Sequence, residues 1–140
     1  MKIVLAADGS AYTKKALAFL VTHDSLAGAD DEVIIVNVQP ELPPRVRSAV
    51  GASVVKSYHA DESEKVLRPI RKFMEKHDIR FRCEAAVGLP ADVILRTTKK
   101  TKAHLIVMGT HGHGVLGRAL LGSVAQKVVT GAEVPVMLVK

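Results

Sequence analysis

Short runs of β-branched and aliphatic residues recur along this chain, each followed by a stretch of helical period. Residues 2–7 form the first run and stop at Asp8-Gly9-Ser10, a turn and helix-start signal. Residues 32–38, 79–87, 103–108 and 134–139 form the others. Apolar runs this short, with few polar interruptions, read as strands covered on both faces. Helical periods fill the gaps. Ala16, Phe19, Leu20 and His23 share one face of a helix that lasts until Gly28. Val66, Leu67, Ile70, Phe73 and Met74 stripe a longer one over residues 54–77, where Pro69 is expected to kink the helix or interrupt its hydrogen bonds. Residues 91–100 open at Pro90, and residues 123–130 stop at Gly131. Residues 39–53, with Pro40, Pro43, Pro44 and Gly51, read as a long loop of the kind that forms binding flaps. The β-α-β-α-β-α-β-α-β succession predicts an α/β fold, an open sheet of five mostly parallel strands with helices on both faces.

Composition narrows the function. The 140 residues are 48 % hydrophobic and 24 % charged, ordinary for one folded domain. Aromatic residues make up 4 % and Trp is absent, so the core is aliphatic and the rings on which single-stranded nucleic acids stack are scarce. The net charge of +6 attracts polyanions. Acidic residues are interspersed, however: Asp61, Glu62, Glu64 and Glu75 lie beside Lys65, Arg68, Arg71 and Lys72. The run Lys99-Lys100-Thr101-Lys102 fits a helix C-terminus. This distribution describes solvated helix faces and argues against a nucleic-acid partner. The single cysteine, Cys83, excludes an internal disulfide and a thiolate zinc cluster and reads as a strand residue. Asp8 cuts the first apolar run short of a signal peptide, and no apolar stretch nears the roughly 20 residues that span a bilayer. The expectation is a cytoplasmic protein with no membrane partner.

Parallel order sends the ends of the first and fourth strands to the same carboxyl edge, where open sheets bind ligands. The Asp8 turn, the segment after Val38 and the glycine-dense segment between Gly109 and Ser123 should converge there. Glycines permit positive φ and let N–H groups gather on an anion, and a following helix start adds donors. Known phosphate motifs fit unequally. Gly112-His-Gly-Val-Leu-Gly117-Arg118-Ala119 lacks the Lys and hydroxyl of a Walker loop. The literal G-x-G-x-x-G at Gly112, Gly114 and Gly117 follows the fourth strand, not the first, and Glu133 is misplaced for its acidic partner. His111 and His113 have no third metal ligand nearby.

Gly109, Gly112, Gly122 and Ser123 meet a third pattern, G-x-x-G, nine residues, then G-[ST]. With Ala7-Asp8-Gly9-Ser10, Asn37-Val38, Val107-Met108-Gly109, Leu121-Gly122-Ser123-Val124-Ala125 and the closing Val134-Pro135-Val136-Met137-Leu138-Val139, the whole chain resembles the ATP-binding branch of the universal stress protein family. The resemblance implies a single Rossmann-like domain over residues 1–140 that holds ATP, with magnesium or manganese as the cation if one is present. It implies that Gly109 and Gly112 let the backbone approach ribose and phosphates. Gly122, Ser123 and Val124 would offer N–H groups, and Ser123 a hydroxyl, to the phosphates. Asp8 would lie near the ribose or a cation, and the Val38 backbone would read the adenine edge. Ala7, Met108, His113 and Gly114 complete the candidate set; Arg118 either reaches the phosphates or lies on the surface. Ala6 and Ala7 replace the Pro and the Val or Thr often found before the Asp, leaving room near the adenine. Asp8 and Ser123 have a second reading as helix caps. The last strand, from Val134 to Val139, is an apolar edge blunted only by Pro135, which predicts a homodimer. Without a loop lysine or an acidic pair, the site favours nucleotide-dependent regulation through a protein partner, with at most slow hydrolysis. A true ATPase or phosphotransferase and a nucleotide-free dimerising domain are the alternatives.

Overall fold

A computed structural model describes residues 1–113 and 120–140. In chain order the elements are β1 (Lys2–Ala6), α1 (Ala11–Val21), β2 (Glu32–Gln39), α2 (Pro44–Val50), α3 (Ala52–Met74), β3 (Arg80–Val87), α4 (Pro90–Thr101), β4 (Leu105–Gly109), α5 (Ser123–Gly131) and β5 (Val136–Val139). The strands form one Rossmann-like sheet in the order β3-β2-β1-β4-β5, and every pairing is parallel. Side chains alternate across it. Ile3, Leu5, Val33, Ile35 and Val107 pack under α1 and α3 with Leu17, Leu20, Leu67, Ile70 and Met74. Val4, Ile34, Val36, Ile106 and Met108 pack under α4 and α5 with Val93, Ile94, Ala125 and Val128. Both faces are therefore dry, which is why the central strands read as unbroken apolar runs. Residues 3, 33 and 105 are in register, and a slip by one would exchange the two cores.

Two local expectations change. The buried face of α1 is Thr13, Ala16, Leu17 and Leu20. Phe19 is half-buried and His23 exposed, and their rings stack on each other at 4.0 Å instead of entering the core. Residues 44–50 are helical, not loop: Pro44 occupies the first turn, where its fixed φ suits a helix, and Gly51 at φ +85° turns the chain into α3. No residue of α2 is buried, so it carries no apolar stripe for the sequence to reveal. α3 runs through Pro69 with buried residues on both sides of it; lacking an N–H, Pro69 interrupts the hydrogen-bond ladder there, one of the two outcomes expected.

Cys83 lies in β3, half-buried against the α1–α3 core. The basic run at the end of α4 closes on Lys102 in the left-handed region, φ 54°. Among the described residues no helix is long and apolar enough to cross a membrane. The functional consequence of the topology lies at β1. It pairs with β2 on one side and β4 on the other, so the segments leaving β1 and β4 flank a crevice at the point where strand order reverses.

Candidate functional site

At that crevice lies a cavity of about 440 Å³, within the range of small-molecule sites. Every described candidate lines it: Ala7, Asp8, Val38, Met108, Gly109, Gly112, His113, Gly122, Ser123 and Val124. Gly114 and Arg118 lie outside the described residues. Sequence reasoning missed Thr13, Val36, Pro90, Ile94, Leu121 and Ala125, which also line it. Most of these come from helices or a strand interior, where only tertiary packing decides which residue reaches a cavity.

The Asp8 turn is built by side chains. Asp8 Oδ1 accepts the Ser10 N–H and the Thr13 hydroxyl, each at 2.9 Å, while the Asp8 N–H donates to Thr13 Oγ1 at 3.1 Å. Ser10, not Asp8, caps α1 by accepting the Thr13 N–H. Gly9 supplies the positive φ of 79° that the turn requires. Burial pushes the Asp8 carboxyl up, but the Ser10 hydroxyl and amide, the Thr13 hydroxyl and the nearby His113 together hold it below the usual carboxylate range. A lowered native pKa adds stability that is complete above the unfolded value, about 3.9, and is lost as pH falls through the native value. Asp8→Asn should thus cost about 1–2 kcal/mol at pH 7 in urea unfolding. The deficit should shrink in acid, because only the wild type has this contribution to lose. Equal stability at pH 7 would contradict the arrangement.

Positive φ, one reason expected for the glycine spacing, is not what these glycines supply. Among the described residues positive φ is confined to Gly9, Gly51, Gly88 and Lys102, so Gly109, Gly112 and Gly122 are not there for left-handed backbone. They are there for contact. A Cβ on Gly109 would overlap Tyr12 Cβ, and one on Gly112 would overlap Asp8 Oδ2. One on Gly122 would sit 3.2 Å from His111 Cα and 3.3 Å from the Thr110 carbonyl oxygen. The Gly122 N–H donates to that carbonyl at 2.7 Å and is unavailable to a ligand, correcting its expected role as a donor. Gly122 is also the N-cap of α5, which makes Ser123 the first helical residue and not the cap. The first main-chain bond of α5 runs from Gln126 N–H to the Gly122 carbonyl. Among the described residues the amides of Ser123, Val124 and Ala125 therefore have no partner, and all three residues line the cavity. Free donors at the positive end of a helix dipole make an anion site.

The opposite wall has its own open hydrogen-bonding edge. The Val36 carbonyl accepts the Ala7 N–H on the β1 side, and the Gln39 carbonyl accepts the Gly88 N–H on the β3 side, both at 2.9 Å. Alternation along a parallel ladder then turns the N–H and C=O of Val38 toward β1, which has ended at Ala6. The next acceptor, the Ala7 carbonyl, is taken by Asn37 Nδ2 at 2.9 Å, and Gln39 Nε2 holds Asn37 Oδ1 at 3.0 Å. Among the described residues, Val38 is left with a main-chain donor and acceptor open beside the cavity. Asn37, 1 % exposed, was visible in the sequence as a lone amide within a β-branched run, a signal that its clamping role could have been read from.

The two histidines separate. His111 Nδ1 lies 3.0 Å from Thr110 Oγ1, with its ring 5.4 Å from that of Tyr12. His113 is exposed, and its Nε2 meets the Asp8 carbonyl oxygen at 2.7 Å. No group of three or more His, Cys, Asp or Glu is placed to hold a metal among the described residues.

A profile of the universal stress protein family matches residues 1–140. A universal stress protein of Methanocaldococcus jannaschii, MJ0531, is 34 % identical over 142 residues, covering 99 % of this chain and 81 % of that protein. MJ0577 of the same organism, solved as a hypothetical protein, superposes with a TM-score of 0.85 at 27 % identity over 99 % of this chain and 94 % of its own. A family member from Arabidopsis thaliana, solved with AMP bound, shares the fold with a TM-score of 0.68 at 18 % identity, covering 100 % of this chain and 91 % of that one. Profile, sequence relative and superposition each span nearly the full length, and the chain belongs to the universal stress protein family.

Proposed function

We propose that this protein is an adenine-nucleotide-binding regulatory module whose ligand is ATP. The observation that carries the reading is the pairing of two complementary edges in one cavity: a main-chain donor and acceptor at Val38 and three amides at the start of α5, none with a partner among the described residues. Adenine lies against Ala7, Val36, Ile94 and Met108, with Val38 reading its polar edge. The ribose lies toward Asp8, and the phosphates meet Ser123, Val124 and Ala125. A divalent cation, where present, comes with the phosphates and takes the Asp8 carboxylate, since such ions commonly pair one or two carboxylates with substrate phosphates. AMP in the Arabidopsis relative is consistent with this ligand class.

At most slow turnover is the reading that the described surroundings of the cavity support. Among its described lining residues Asp8 is the sole carboxylate, and none is Lys or Arg. Phosphoryl transfer needs a cation at the developing charge and a group that orients the nucleophile. Self-association completes the module through β5. Its Val136–Val139 edge is half-buried and uncharged, whereas the other edge, β3, carries Arg80, Arg82 and Glu84, charges that deter pairing.

Calorimetric titration with ATP, followed by a phosphate-release assay on the same sample, tests the reading. One saturable site per chain with release at background supports it. Absence of binding contradicts it and favours a nucleotide-free dimerising domain. Sustained release favours an ATPase.

A further inference from the structure

We infer that Asn37 is a positioning residue that keeps the main-chain edge of Val38 free for the nucleobase. The inference rests on the adenine-nucleotide reading for its ligand and on the end of the β1–β2 ladder for its geometry. β2 stays paired with β3 as far as Gln39, opposite Val87, so Val38 is held extended after β1 has ended at Ala6. The last rung toward β1 runs from the Ala7 N–H to the Val36 carbonyl at 2.9 Å. In a parallel ladder the rung after it would run from the Val38 N–H to the Ala7 carbonyl. Among the described residues that rung is absent, and the Ala7 carbonyl accepts Asn37 Nδ2 at 2.9 Å instead. The carboxamide is fixed in this role: Asn37 is 1 % exposed, and its Oδ1 accepts Gln39 Nε2 at 3.0 Å. Alternation places Asn37 on the face of Val33 and Ile35, under α1 and α3, and turns Val36 and Val38 to the cavity. Asn37 does not line the cavity and acts through Ala7, which does. Adenine offers a ring-nitrogen acceptor beside an amino donor, the complement of one residue's N–H and C=O. A Val38 N–H spent on Ala7 would leave half of that pair.

Removing the carboxamide tests this. Asn37→Leu keeps the branched shape of the side chain without its polar atoms. Asn37→Val, a strand former smaller than Leu, covers the case in which Leu overpacks the site. In either variant the Ala7 carbonyl and the Val38 N–H both lack a protein partner, and each costs free energy when left unpaired. They should therefore close the missing rung. Hydrogen exchange read by NMR on the ligand-free proteins follows it directly. The Val38 amide should exchange freely in the wild type and about fivefold to tenfold more slowly in the variants, as one new hydrogen bond implies. Calorimetric titration should show ATP binding weakened by a similar factor, since the base must reopen the rung. A Val38 amide that stays unprotected in the variants overturns the inference even where ATP affinity falls, because the loss is then structural. Unchanged ATP affinity beside a protected Val38, or a protected Val38 in the ligand-free wild type, overturns it too. A wild type that fails to bind ATP overturns the adenine-nucleotide reading and this inference with it. The exchange rates, measured without nucleotide, tell that failure from a failure of Asn37 alone.

Discussion

Ser123→Asp should weaken ATP binding at least about 100-fold while leaving the protein as stable as before or slightly more so. The substitution places a carboxylate on the first residue of α5, where the account puts phosphate, and like charges at contact cost several kcal/mol. The same carboxylate is favourable to the helix itself, since negative charge in a first turn is worth about 0.3–1 kcal/mol. Ser123 is exposed, so no core contact is disturbed. The two effects point in opposite directions, and that opposition is the value of the experiment. A variant that merely misfolds loses both affinity and thermal stability; this one should lose only affinity. Calorimetric titration and a thermal melt on the same preparation suffice. Unchanged affinity would mean that the phosphates do not use the start of α5.

The second large effect is on stability. Gly109→Ala should cost about 3 kcal/mol, the upper part of the range for overpacked cores, and lower Tm by roughly 10 °C. The new methyl group would overlap Tyr12 Cβ and come within 3.3 Å of the Tyr12 carbonyl carbon and 3.2 Å of the His111 carbonyl oxygen. Two of those three atoms are backbone, so no rotamer change relieves the clash. Gly51→Ala is the matching control. Its Cβ would meet nothing within 4 Å, and the penalty is confined to holding a non-glycine residue at φ 85°, ψ 163°, a region that glycine alone favours, about 1–3 kcal/mol. A smaller loss at Gly109 than at Gly51 would refute the close approach of β4 to α1.

The strands, their parallel order and the edge that carries the site were legible in the sequence. The continuous apolar runs announced strands buried on both faces, and parallel order then required the Asp8 turn, Val38 and the glycine segment to share one edge. The spacing of Gly109, Gly112 and Gly122 was visible; its cause was not, because close approach to Tyr12, Asp8 and the Thr110–His111 backbone depends on partners distant in the chain. Capping was only partly legible for a similar reason: Ser10 caps α1 as one of the two residues the sequence offered, whereas Ser123 does not cap α5. Ser10 and Asp8 both suit the role at α1, and only the hydrogen bonds separate them; at α5 a glycine with no side chain holds the position one residue before Ser123. The helix at residues 44–50 was hidden by full exposure. His23 looked like a core residue because its spacing from Ala16 and Leu20 is helical, yet it falls beyond the end of α1 and stacks on Phe19.

The stability predictions concern the scaffold, whereas the central claim is that one molecule bridges Val38 and the start of α5. Backbone amide NMR during titration with ATP and then AMP tests it residue by residue. The account predicts that ATP moves the Val38 amide together with those of Ser123, Val124 and Ala125, and that AMP, lacking the outer phosphates, moves Val38 as much and the α5 amides less. Shifts confined to one of the two edges, or centred elsewhere on the sheet, would contradict it.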